Sequence, residues 1–145
     1  MSDVIGARAP AWFRLLAVLG LAWNAFGVYM YLTSVGMFGD PLAGLDPAHR
    51  ALAQSVPNWV TGAFAIAVFA GLVGALLLVM LKRLAKSLLI LSVLAVLVQS
   101  AWVIAMSDAR AVEGNMALMM PAVISLVALL LVWLAAAGDR RGWLG

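Results

Sequence analysis

Apolar residues along this chain gather into four long blocks, at about residues 11–32, 58–81, 87–106 and 116–137. Each is near the roughly 20 residues that an α-helix needs to cross the hydrocarbon layer of a bilayer. Short polar connections separate the blocks, except for one longer stretch over residues 33–57. Inside lipid every backbone amide must find an internal partner, so unbroken helices are the expected form of such blocks. The pattern predicts an all-α integral membrane protein, a single membrane domain over residues 1–145 built as an up-down bundle of four transmembrane helices. The first block exceeds the usual 7 to 15 residue apolar core of a signal peptide, and no clear A-x-A site follows it, so it reads as a retained span.

The long connection divides in two. Gly36, Gly39, Pro41 and Gly44 forbid a helix in its first half. The run DPAHRALAQS then predicts a short helix at about 47–56, with Asp46 as N-cap and Pro47 at the first helical position. Leu45, Leu52 and Val56 give it an apolar edge toward the membrane surface, and Pro57 ends it.

Lipid tails are as apolar as leucine, so inserted helices associate through small residues and interhelical hydrogen bonds. Span one carries Ala17, Gly20, Asn24, Gly27 and Tyr31 on one face, and span three carries Ser92, Ala95, Gln99, Trp102 and Met106 at the same spacing. Each seam has a carboxamide in third place, at similar expected depth, so Asn24 and Gln99 are candidates to face each other. The correspondence hints at two fused hairpins related by a parallel repeat. Span two holds a small-residue stripe, Ala63, Ala67, Gly71 and Ala75, open to a helix of the same chain or of a second copy. In span four, Pro121, Ser125 and Ala128 share a face, and the proline lies in the first turns, where a mild kink is tolerated.

Composition sharpens the assignment. The chain is 66% hydrophobic and only 10% charged, against roughly a quarter charged in soluble domains. Seven of its nine basic residues (Arg8, Arg14, Lys82, Arg83, Lys86, Arg140 and Arg141) flank the blocks on one side. The positive-inside rule then places both termini and the loop after span two in the cytoplasm. Trp12, Trp133 and Trp143 are expected near the inner interface, and Tyr29, Tyr31, Trp59 and Trp102 near the outer one. The net charge of +3 is thereby explained by orientation, and nucleic acid is not an expected partner. The expected partners are the lipid bilayer and a second copy or another membrane protein.

Candidate chemistry is sparse. Asn24, Gln99, Ser92, Thr61 and Ser125 are polar residues within the spans, suited either to walls of a small polar cavity or to interhelical hydrogen bonds. His49 with Asp46 offers too few ligands for a structural metal site and reads as a solvated residue beside a capping one. The cluster Lys82, Arg83 and Lys86 serves orientation and is suited to anionic headgroups. The chain has no cysteine, which excludes disulfides and thiolate chemistry. No Asp or Glu lies inside a span, against a carboxylate proton relay. There is no nucleophile–base pair, HExxH, Walker or Rossmann pattern, so no catalytic residue, metal or cofactor is expected.

The stretches RLLAVLGLAWNAFGVYMYL, PNWVTGAFAIAVFAGLVGALLLVMLKRLAKSLLILS and RGWLG resemble a group of small four-helix bacterial inner-membrane proteins often labelled sugar transporters. The resemblance spans nearly the whole chain. It departs at Phe64 and Phe69, where tryptophan would be expected, and at Lys86-Ser87, where a proline would be. It implies the four-helix architecture and carries no binding residue to transfer. Three functions are therefore carried forward: a transporter-like component working as an oligomer, an accessory or assembly subunit of a larger membrane complex, and an enzyme drawing on Asp46, His49, Arg50, Arg110 and Glu113.

Overall fold

The computed structural model describes residues 8–145. Within them the chain forms α1 (Ala11–Ser34), α2 (Pro47–Gln54), α3 (Asn58–Val79), α4 (Leu84–Ala105), α5 (Ala109–Glu113) and α6 (Met116–Arg140), with no strand. Four of these, α1, α3, α4 and α6, are long and apolar enough to cross a membrane. They run alternately up and down. One end of the bundle, called here the basic end, holds Arg14, the α3–α4 turn and the residues after α6. The other, the loop end, holds the long α1–α3 connection with α2, and α5.

Helix ends follow from local backbone chemistry. Pro10 and Pro57 precede α1 and α3, and Asp46 caps α2 by accepting from the Ala48 and His49 amides. Three long helices close with the same paired turn, in which the amides of the two residues after the cap reach back to carbonyls of the last turn. At α1 these are Gly36 to Thr33 and Met37 to Leu32; at α6 they are Gly142 to Asp139 and Trp143 to Gly138. Gly36 (φ +84°) and Gly142 (φ +73°) supply the left-handed residue. At α3 the pairs are Leu81 to Leu78 and Lys82 to Leu77, and the left-handed residue is Leu81 at φ +59°. A leucine there costs about 1–2 kcal/mol relative to glycine. This turn is compact, so α4 starts at Leu84, three residues before the expected 87, and α3 stops at Val79.

The helices pack in chain order. α3 and α4 form the central pair, α1 lies against α3, and α6 against α4. Small residues set the distances. On α3, Ala63, Ala67, Gly71, Gly74 and Ala75 are all buried. A Cβ at Gly74 would strike Leu89 of α4, and one at Gly71 would strike Asn24 of α1 while meeting Ser92 Oγ of α4 at 3.0 Å. Gly27 lies against Val68, and Tyr31 stacks edge-on against Phe64 and Phe69. The α3 stripe is thus used within the chain.

At the basic end α1 and α6 also meet, with Gly20 against Leu131 and Phe13 against Gly138. Phe13, Ala17, Leu78, Ala85, Leu89, Leu134 and Ala135 form a closed core there, each at most 2% exposed. The residues after α6 seal it. Leu144 is 2% exposed within this core, and Trp143 meets Phe13 and Trp12 edge-on. The Gly145 amide donates to Leu81 O (2.7 Å), and the Arg83 amide donates to Gly145 O (3.0 Å). Arg83 Nε donates to Leu144 O, and Asp139 lies between Arg83 and Lys86 at 3.5 and 3.7 Å. The tail therefore clasps the α3–α4 turn.

Two outcomes are expected in reversible unfolding of the purified chain. Gly71→Ala should destabilise by roughly 1–3 kcal/mol through overpacking, and Asn24→Ala in the same chain should return part of that loss. Leu144→Ala should cost about 2–5 kcal/mol, as for other buried leucines; an effect under 0.5 kcal/mol would mean the clasp does not hold the basic end.

Candidate binding cleft at the loop end

The polar residues singled out from sequence separate into three places. Asn24 and Ser92 meet at the Gly71 crossing. Asn24 Nδ2 donates to Gly20 O within α1 (2.8 Å), its Oδ1 presses on Gly71, and Ser92 Oγ donates to Ala67 O across the α3–α4 interface (2.6 Å). That interhelical bond contributes about 0.6–2 kcal/mol. Ser125 of α6 faces Ser100 of α4 with hydroxyl oxygens 3.5 Å apart. Thr61 and Gln99 lie nearer the loop end, in the wall of a cleft.

Asn24 and Gln99 do not face each other. α1 packs on α3 and not on α4, so the α4 residue brought to Asn24 is Ser92, at the level where Gly71 lets both helices approach. Gln99 lies roughly two turns further toward the loop end. The early start of α4 at Leu84 carries it past the depth that the sequence spacing suggested.

The cleft encloses about 490 Å³, within the range of small-molecule sites. Thr61, Val60 and Phe64 of α3 form one wall and Gln99, Trp102 and Val103 of α4 the other; Ser34, Pro41, Leu42, Ala53, Gln54 and Val56 roof it. The roof is fastened locally: Arg50 donates to Leu42 O, and Asp40 accepts from the Leu42 amide. None of the lining side chains is charged. A smaller recess on the far side of Gln99 runs to Met116, Met120 and Pro121 of α6.

Trp102 lies toward the loop end, on the face of α4 that its seam spacing assigned to packing. It is 7% exposed and turned into the bundle, lining both the cleft and a neighbouring groove shared with His49 and Glu113. Tyr31 likewise turns onto α3. Sequence reasoning also missed Gln54 and Ser34 in the roof and Asp139 in the clasp. Asp139 carried a readable signal, as the one acid beside Arg140 and Arg141 in the otherwise basic flank. The cluster Lys82, Arg83 and Lys86 is divided: Asp139 engages Arg83 and Lys86, and Lys82 is exposed.

His49 Nδ1–H donates to the Asp46 carboxylate. That hydrogen bond holds the Asp46 carboxyl below its ordinary value of 3.8 against the opposing effect of desolvation, with lesser help from the His49 amide, the imidazole charge and the Ala48 amide. Among the described residues, no three His, Asp or Glu side chains gather closely enough to hold a metal ion. Comparison with family models, curated proteins and solved structures finds no match for the chain.

The depressed Asp46 carboxyl fixes the sign of a pH effect. Its contribution is present above the ordinary value of 3.8 and is lost as pH falls through the lower folded value. Amide-exchange protection in α2, taken relative to the intrinsic exchange rate at each pH, should therefore fall on acidification from pH 5 to below 3, and Asp46→Asn should remove that pH-dependent step. An unchanged step in the variant would place the titrating group elsewhere.

Proposed function

We propose that this chain is a transporter-like component of a bacterial inner membrane, with its termini in the cytoplasm and its cleft facing outward. It receives a small molecule at the loop end and completes a pathway only with other subunits. The observation that supports this reading is the uncharged cleft leading to Gln99, with the closed core of Phe13, Leu78, Leu89 and Leu134 at the other end of the bundle. A single chain thus offers a site without a through-path. The α3 stripe is occupied by α1 and α4, so any second copy would have to join through another face of the bundle.

One observation favours the alternative, an accessory or assembly subunit. Toward the loop end α1 and α6 separate, leaving exposed a wide apolar surface that includes Trp23, Phe26, Leu126 and Leu130. Such a surface suits either lipid or a neighbouring membrane helix.

The absence of cysteine makes the test direct. Single cysteines replacing Thr61 and Ser92 should be introduced in native membranes and treated with an impermeant maleimide from each side. The transport reading expects position 61 to react from outside and position 92 to react, in a fraction of molecules, from inside. Position 92 sealed from both sides would sink it and leave the accessory reading in place.

A further inference from the structure

Gln99 and Trp102 stand three residues apart on α4, where neighbouring turns bring side chains together, and both line the cleft. Among the described residues, neither the Gln99 carboxamide nor the Trp102 indole N–H has a partner within the chain, although the other polar side chains of α4 beyond its first turn do: Ser92 with Ala67 O and Ser100 with Ser125. No fully enclosed side-chain nitrogen or oxygen lacks a partner. The free groups of Gln99 and Trp102 therefore reach open space, and that space is the cleft and its adjoining recesses.

Their chemistry selects a ligand. The indole N–H only donates, and the carboxamide supplies two more donors beside one acceptor. Gln99 and Trp102 both donate, so the one group that the two can hold together is an acceptor oxygen. A carboxylate would accept too, but no lining residue carries a positive charge to offset its desolvation. Phe64, Val60, Val103 and Leu42 provide an apolar enclosure for the rest of the molecule. We infer that the cleft binds a neutral amphipathic molecule whose carbonyl oxygen accepts from Gln99 and Trp102 while its hydrocarbon part rests between α3 and α4. This rests on the reading of the cleft as an outward-facing site, and names what that site takes. Such a carbonyl could arrive from the outer solution or from the ester region of the bilayer.

The full chain in nanodiscs, titrated with 2-octanone, octane and octanoate at pH 7, tests this through tryptophan fluorescence. The expected result is a saturable change with 2-octanone that Trp102→Phe abolishes, with octane and octanoate at least about threefold weaker. Gln99→Leu should weaken 2-octanone by about threefold to tenfold, the range for loss of one hydrogen bond. Equal binding of octane, tighter binding of octanoate, or a signal that survives Trp102→Phe would overturn the inference. The selectivity series on the unaltered chain decides this even where a variant fails to fold. Diacylglycerol added to the nanodiscs separates the sources: competition with 2-octanone supports a bilayer-borne carbonyl, and saturable 2-octanone binding without competition supports one from solution. If a cysteine at position 61 labels from outside but no ketone binds, the ligand class fails and the outward site survives. If that cysteine does not label, both fail.

Discussion

Two helices lean on a single Cα. Asn24 of α1 and Ser92 of α4 both press on Gly71, and every larger residue would push one of them away. The crossing fixes how α1 and α4 flank α3, although those two helices do not themselves pack backbone to backbone. In a lipid environment water provides little force to drive helices together, so such close approach supplies much of the association energy. The Ser92 hydroxyl adds direction, because its bond to Ala67 O fails if α4 turns or slides on α3.

From this crossing the bundle becomes two unlike halves. Toward the basic end, Gly20, Gly74 and Gly138 bring neighbouring helices close enough for Leu131, Leu89 and Phe13 to fill the space between them. Toward the loop end no glycine joins α1 to α6. α1 follows α3 through Gly27 and Tyr31, while α6 follows α4 through Ser125, Ala128 and Ile124. The two outer helices part, and α2 with the preceding loop roofs the gap between α3 and α4. Tight packing at one end and a roofed cleft at the other are thus one consequence of where glycine and alanine fall.

The four long helices were legible because their signal is length and hydropathy, which depend on no neighbour. α2 was legible through Asp46 and Pro47, whose capping chemistry is local. The partner of Asn24 was not. Equal spacing along two helices suggested Gln99, but partners depend on which helices adjoin and on where each begins, and a left-handed Leu81 shifted the start of α4. The five-residue α5 went unread because ARAVE has neither a side-chain cap nor the length to show a period.

The clasp has a consequence for how the protein is made. Residues 143–145 leave the ribosome after all four long helices, so until then the Leu81 carbonyl and the Arg83 amide face water and the pocket for Leu144 stands empty. Beyond its own hydrogen bonds, the strained turn is tied to a segment synthesised about sixty residues later. Closure of the basic end therefore follows the synthesis of α6, and a chain truncated before Trp143 would carry an unsealed end.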